Sequence, residues 1–272
     1  MKIGKATVPR TSICTSDAHT IVVRGRDLSR DLIGKVSFVE HFFLLLTGKP
    51  PSAGEAAVLN ATLVAIAEHG LVPSVQAARM TFAAAPDAMQ GAVAAGILGC
   101  GSVVLGSSET AGRLYVEIDA QVQAGVPLHA AARAVAQAWR AAGQSIPGCG
   151  HPLHKARDAR VGALFDVARA AGTDLRFIAI AEAVEAAMPE LLGKELKLNV
   201  SGAIPAVLLG AGFPVQALKG VPILARTAGL IAHLFEEIQQ PIGFALSYQA
   251  TRETVYDGAL PQGFASPAGA TR

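Results

Sequence analysis

The sequence predicts an all-α protein. Its apolar segments run for more than ten residues, most of them stop at glycine, and β-branched runs with strict alternation are almost lacking. Hydrophobic residues make up 51% of the 272 positions and charged residues only 16%, so the chain has the material for a large core, a buried subunit interface, or both.

Taken in order, "HTIVVRG" is the one short strand or hairpin arm near the start. "SFVEHFFLLLTGKPPS" reads as a helix that stops at Gly48, with Pro50 and Pro51 beyond it. "SAGEAAVLNATLVAIAEHG" opens on Ser52 with Glu55 following, a capping box, and closes at Gly70. "PSVQAARMTFAAA" and "DAMQGAVAAGILG" are further helices, and "SSETAGRLYVEIDAQVQAG" and "PLHAAARAVAQAWRAAG" each end in glycine. "HKARDARVGALFDVARAAG", "DLRFIAIAEAVEAAM", "LNVSGAIPAVLLGAG" and "VPILARTAGLIAHLFEEIQQP" complete an array of about ten helices joined by short loops. The tail "LPQGFASPAGATR" is rich in Pro, Gly, Ala and Ser and is expected to stay mobile.

Composition excludes several functions. A net charge of +2 with no long basic run argues against nucleic acid. The most apolar run, Gly91 to Gly106, is rich in glycine and shorter than the ~20 residues a spanning helix needs; a core or interface helix is expected, not a membrane span. Cys14, Cys100 and Cys149 form no pair and no metal-ligand spacing, so no metal site and no covalently bound cofactor are expected. The opening "MKIGKATVPRTS" lacks an apolar signal core. With reduced thiols this implies a cytoplasmic protein.

Polar chemistry concentrates in "SIPGCGHPLHKARDARV", residues 145–161. The glycine-rich turn Pro147, Gly148, Cys149, Gly150 leaves backbone N–H and C=O groups open to the edge of a flat heterocycle. His151 follows at its end. Lys155, Arg157 and Arg160 then fall in what reads as the first turns of a helix, where Arg157 and Arg160 would share a face. Taken alone this is a solvated basic helix start. Cations there oppose the helix dipole, however, and with the glycines the pattern favours a site for phosphate or carboxylate.

"PGCGHPLHKARDAR" resembles the citrate synthase signature. Gly148, Gly150, His151, Lys155, Asp158 and Arg160 fit it, and Ala159 stands where a proline is usual. "IVVRGRDLSRDLIGKVSFVEHFFLLLTGKPPS", "AEHGLVPSVQAARMT" and "LARTAGLIAHLFEE" are similar to other family motifs in the family's order, and "LNVSGAI" is closer to the "NVDGAI" of the citryl-CoA lyase branch. The resemblance implies a citrate synthase-like all-α fold. Residues 1–106 and 223–272 would form a large dimerisation domain, and residues 107–222 a small CoA-binding domain. The protein would be a homodimer, with the Met89–Gly106 region at its interface and glycines such as Gly106 and Gly150 absorbing domain closure.

It also implies roles. The turn Pro147–Gly150 would wrap the CoA adenine and Lys155 would meet a CoA phosphate. His151 would polarise the oxaloacetate carbonyl or hold the tertiary hydroxyl of the condensed product. Arg160, Arg226 and His69 would bind the carboxylate substrate. On its own, His69 reads as a helix C-terminal cation favoured by the dipole. Arg252 is the nearest match to the family's arginine donated across the dimer. The implied activity is citryl-CoA lyase-type carbon–carbon cleavage, with coenzyme A thioester as substrate and acetyl-CoA and oxaloacetate as products. A citrate synthase-type acyltransferase and a non-catalytic acyl-CoA-binding protein are the alternatives.

The family pattern breaks at the acid–base positions. Synthases carry "G-P-x-H-G-G-A-N-E"; here "GSVVLGSSE" puts Val104 at the histidine, and valine neither donates a hydrogen bond nor carries charge. Ser102, Ser107 and Ser108 are the neutral donors nearby. The aspartate of "NVDG" is Ser201, a weak base near neutral pH unless another group activates it. The substrate-holding groups are kept while the groups that move protons are replaced.

Overall fold

In the computed structural model, residues 8–101, 105–150 and 157–264 are described. The opening hairpin expected around "HTIVVRG" is present as a small antiparallel meander: β1 (Cys14–Ser16), β2 (Ile21–Val23) and β3 (Arg26–Asp27). Val23 pairs with Arg26, so Arg24 (φ 49°) and Gly25 (φ 79°) form the two-residue turn between β2 and β3. Arg24 is held in this left-handed conformation by its guanidinium. Nη2 and Nε donate to the Leu45 carbonyl at 2.6 and 3.0 Å, and Nη1 to the Ser12 hydroxyl at 2.7 Å. A single π-helical turn, Leu28–Leu32, leads on from β3.

Eleven α-helices follow among the described residues. α1 (Phe38–Thr47) and α2 (Ala53–Ala67) both begin with complete capping boxes, Ser37/Glu40 and Ser52/Glu55. α2 ends at Ala67, not at Gly70, because Glu68 is already extended. α3 (Pro73–Ala84) and α4 (Met89–Leu98) form a pair. α5 (Ser107–Gln123), α7 (Ala159–Ala170) and α8 (Arg176–Leu192) surround α9 (Val200–Gly210) together with α2, and α6 (Leu128–Ala141) packs on α5 and α8. α10 (Gly220–Gln239) crosses α2, α3 and α4, and α11 (Gly243–Glu253) packs on α3.

α9 is the centre of the fold. Every residue from Gly202 to Leu208 is buried, as an all-round apolar helix requires. The main core combines α1, α2 and α5 to α9, and so joins residues on both sides of position 106. A second cluster, with Val75, Ala78, Phe82, Ala92, Leu230 and Leu234, joins α3, α4 and α10. The segment Val215–Gln239 is long and apolar enough to cross a membrane, with a mean hydropathy of 1.2. One of its faces lies in these two cores.

α7 departs from expectation. Asp158 accepts a hydrogen bond from the Arg160 N–H and caps the helix, so α7 starts at Ala159. Arg157 therefore precedes the helix and does not share a helical face with Arg160. It pairs instead with Glu185 (2.9 Å) and Glu182 (3.7 Å) on α8. α11 lies in a stretch for which no helix is expected from the sequence.

A buried ion pair ties α3, α10 and α11 together. Arg79, 2% exposed, donates to Glu237 and Glu236 at 2.6 Å each and to the Gln240 carbonyl at 3.0 Å. Glu237 also accepts the Ile242 and Gly243 N–H groups at the start of α11. Burial raises its pKa, but these backbone N–H groups and Arg79 outweigh that and hold it below the ordinary 4.5. A depressed carboxylate contributes stability that is present above the ordinary pKa and lost as the pH falls through the folded one. Acid unfolding should therefore set in below about pH 4.5, and Glu237→Gln should flatten that limb in urea melts. Arg79→Met leaves Glu237 buried without its cation and should cost about 3–5 kcal/mol. A smaller loss than for a neutral surface change would refute the structural weight given to the pair.

Candidate active site

The site is assembled around the N-terminus of α9. Asn199 caps this helix, and its side-chain oxygen accepts the Ser201 and Gly202 N–H groups at 2.9 and 3.3 Å. The same side chain donates to the Gly150 carbonyl at 2.6 Å, and the Asn199 N–H donates to the Gly148 carbonyl at 3.0 Å. Gly150 N–H returns to the Lys197 carbonyl at 2.8 Å. Residues 148–150 thus form an antiparallel bridge with 197–199, centred on Cys149 and Leu198.

Gly148 adopts φ +81° and lies directly on Gly202; a Cβ on it would stand 2.7 Å from the Gly202 Cα. Among the described residues, the N–H and C=O of Cys149 are left without a partner, whereas those of Gly148 and Gly150 named above are engaged in the bridge. The bridge holds the turn against 197–199, and among the described residues Cys149 is the position in it whose backbone groups have no partner. The Cys149 thiol is pushed up to about 12, by burial first and then by Glu185, so it is no nucleophile. Glu185 also accepts the Leu198 N–H at 2.7 Å and holds Arg157.

Ser201 sits in the first turn of α9, half-buried. Pro205 has no N–H to offer the Ser201 carbonyl. Beside it, Asp158 accepts the Val200 N–H at 3.3 Å and grips Arg160 through Nε (3.1 Å) and Nη2 (2.7 Å). Burial raises the Asp158 pKa, but the Arg160 hydrogen bonds outweigh it and keep the carboxylate ionised below its ordinary range. Arg160 Nη1 donates at 3.3 Å to the Ala65 carbonyl, in the last turn of α2. This arginine therefore spans from α9 to the end of α2.

His69 is exposed on the turn that follows α2. α10 meets that turn through Gly229 and His233, which share a helical face with Arg226. Gly229 permits the crossing, since a Cβ there would stand 2.1 Å from the Ala67 carbonyl. His233 Nε2 lies 2.9 Å from Glu68. Arg226 is 4% exposed, and its Nε and Nη1 have no hydrogen-bond partner among the described residues. A buried guanidinium in this condition is costly, and a carboxylate from a ligand would satisfy it.

Pro147–Gly150, Arg160 and Ser201 therefore meet at the start of α9, Arg160 reaches the α2 end that His69 follows, and Arg226 lies one helical turn along α10 from Gly229, where that helix meets the α2 end. His151 and Lys155 lie outside the described residues, as do Ser102 and Val104. Ser107 and Ser108 open α5, and Ser108 is fully buried with its hydroxyl unpaired among the described residues. Arg252 stands in the last turn of α11, over the Tyr248 ring. No group of three or more metal-ligating side chains occurs among the described residues. Concave surfaces of about 180 and 250 Å³ lie along α8; the first carries Glu182, Glu185 and Glu195 with Lys197, and the second carries Glu190 with His129 and Arg133.

Some functional neighbours are not legible in the sequence. Tyr115 on α5 is fully buried and donates to the Gly202 carbonyl at 3.2 Å, supporting the α9 turn from below. Glu185 and the Glu68–His233 pair also act across long sequence separations.

The citrate synthase C-terminal domain profile matches residues 6–243. No curated protein matches by sequence. Among solved structures, the citryl-CoA lyase of Hydrogenobacter thermophilus is 32% identical, with a TM-score of 0.82 over 95% of this chain and 98% of that one. A mutant ATP citrate lyase of Methanosaeta concilii in complex with (3S)-citryl-CoA is 22% identical, with a TM-score of 0.76 over 96% of this chain and 43% of that one. The citrate synthase of Thermoplasma acidophilum, bound to carboxymethyl coenzyme A and oxaloacetate, is 20% identical, with a TM-score of 0.63 over 85% of this chain and 58% of that one. The last two comparisons show a shared fold. With the profile match over most of its length and the first of these relatives, the chain belongs to the citrate synthase family.

Proposed function

We propose that the protein is a citryl-CoA lyase-type carbon–carbon lyase that cleaves a citryl-CoA-like thioester to acetyl-CoA and oxaloacetate. The observation that carries this reading is Arg226, buried on the α10 face whose Gly229 meets the α2 end, with Nε and Nη1 unpaired among the described residues; Arg160 reaches the same α2 end. Arg226 takes a substrate carboxylate and Arg160, oriented by Asp158, takes another; His69 completes the subsite. The backbone N–H and C=O of Cys149, left open by the bridge, face the CoA adenine edge, with Pro147, Gly148 and Gly150 setting the turn. Lys155 meets a CoA phosphate. Cleavage requires removal of the tertiary hydroxyl proton, stabilisation of the departing enolate oxygen, and return of a proton to the enolate carbon to give acetyl-CoA. His151 is assigned to the first task, with Ser201 beside the reacting carbons. No covalent cofactor or metal enters this scheme.

The same reading makes residues 1–106 and 223–272 a dimerisation domain and residues 107–222 a CoA-binding domain of a homodimer. Support for a subunit interface comes from large apolar side chains left exposed on α10 and α11: Ile231, Phe235, Ile238, Phe244 and Tyr248. Three free cysteines suit a reducing, cytoplasmic setting without nucleic-acid or membrane partners.

A second reading is favoured by Val104 and Ser201: an acyl-CoA-binding member of the family that holds the thioester without turning it over. Binding and turnover separate the two. Calorimetry should show CoA and acetyl-CoA binding; no binding at millimolar concentration would end both readings. Oxaloacetate release from citryl-CoA supports the lyase, and its absence supports the binding protein. Ser201→Asp should raise that release by about 10², and His151→Ala should abolish it while leaving the fold intact. Arg226→Leu should weaken oxaloacetate binding roughly 10- to 100-fold. It should leave the ligand-free melting temperature unchanged or raised, because a costly unpaired charge is removed. A fall in melting temperature with unaltered binding would make Arg226 structural.

A further inference from the structure

The family-like motifs "AEHG" and "LARTAGLIAHLFEE" contain Glu68 and His233, to which the scheme above gives no role. The structure puts them together. α2 ends at Ala67, and the residues after it carry His69 on an exposed turn whose Gly70 has φ +75°. Glu68 closes that turn with its own side chain. Oε1 accepts the His69 N–H at 2.8 Å and also the Gly70 N–H. Oε2 lies 2.9 Å from Nε2 of His233, which is mostly buried on α10. Nδ1 of the same imidazole is 3.9 Å from Glu236. His233 shares its helical face with Gly229 and Arg226, and Gly229 is where α10 touches the Ala67 carbonyl and the Glu68 carboxylate.

We infer that Glu68 and His233 are positioning residues, a latch that fixes the turn bearing His69 to the helix bearing Arg226 and so sets the spacing of the carboxylate subsite. The inference rests on the assignment of His69 and Arg226 to substrate. Glu68 Oε1 is engaged by two backbone N–H groups, and Oε2 lies within ion-pair distance of His233 Nε2, a buried atom with no other partner among the described residues. The pair therefore acts through His69 and Arg226 rather than on the reacting atoms. Without it, the turn from 68 to 70 loses the acceptor for two successive N–H groups, and His69 is no longer held at a fixed distance from Arg226. Precise placement of a binding group is worth most where several groups must meet one small ligand.

The test uses the full-length protein and the variants Glu68→Ala, Glu68→Gln, His233→Ala and His233→Gln. Calorimetry with oxaloacetate and, separately, with CoA reads the two subsites. Amide hydrogen exchange reads the turn. The alanine variants should weaken oxaloacetate binding by about tenfold, leave CoA binding within twofold, and speed exchange at His69 and Gly70. The glutamine variants, which keep a hydrogen-bonding group at each position, should recover most of the loss. In turnover the effect should fall on KM rather than kcat. Equal losses for both ligands, or unaltered oxaloacetate binding with a lowered melting temperature, would overturn the latch and leave a merely structural pair. If the wild type binds neither ligand, the functional assignment fails on its own, and unchanged exchange at His69 and Gly70 in the alanine variants would then refute the latch independently.

Discussion

Backbone lies against backbone where Gly148 meets Gly202, and the site depends on that contact. A Cβ on Gly148 would stand 2.7 Å from the Gly202 Cα, and one on Gly202 would stand 2.6 Å from the Gly148 carbonyl oxygen. Only with both positions bare can Asn199 reach the Gly150 carbonyl and its N–H the Gly148 carbonyl. The turn thereby inherits the rigidity of α9, which is buried on all sides from Gly202 to Leu208. Asp158 uses the next free N–H of the same helix end, that of Val200, and passes the constraint on to Arg160. One helix terminus thus orients a turn, an arginine and the first residues of the helix itself.

Two buried arginines show how the fold separates stability from function. Arg79 is fully paired with Glu236, Glu237 and the Gln240 carbonyl, and three helices meet on it. Arg226, on α10 and equally withdrawn from water, has Nε and Nη1 unmatched among the described residues. A paired buried ion costs little when its partners are kept; an unpaired one carries a penalty of several kcal/mol. Such a penalty persists in a folded chain when something outside the chain supplies the counter-charge. The contrast is what supports the proposed role of Arg226 in binding a carboxylate, while Arg79 serves the scaffold.

Much of this was legible in the sequence where the determinants are local. The capping boxes at Ser37 and Ser52, the glycine stop at Gly48 and the single hairpin arm near "HTIVVRG" each depend on residues within one turn of each other. Local reading failed where a side chain overrides the pattern. Asp158 turns back to cap α7 and removes Arg157 from the helix, and Glu68 is extended and ends α2 early. α11 is weakly apolar and begins after Pro241, and the Glu237 carboxylate that accepts its first N–H groups lies six residues before Gly243 on the preceding helix, outside the spacing of a capping box. Composition alone found the basic segment at 145–161. Its association with His69 and Arg226 came from the family motifs, because the contacts that join them, Arg160 with Ala65 and His233 with Glu68, link positions far apart in the chain.

Ser201 bears on what such a pocket can do. It occupies the first turn of α9, where a negative charge would be favoured by the helix dipole and by the N–H groups near Asn199. A carboxylate there would lie close to Asp158, which already accepts the Val200 N–H next door. A serine removes one negative charge from a neighbourhood that also contains Arg160 and leads to Arg226. The potential that an incoming anion would meet becomes more positive as a candidate base is withdrawn. On the proposed function, a change of charge at this one position would move anion affinity and proton transfer in opposite directions. The proposed binding groups are anchored in the α9 terminus and on α10, and the Ser201 side chain takes part in none of the hydrogen bonds that hold them.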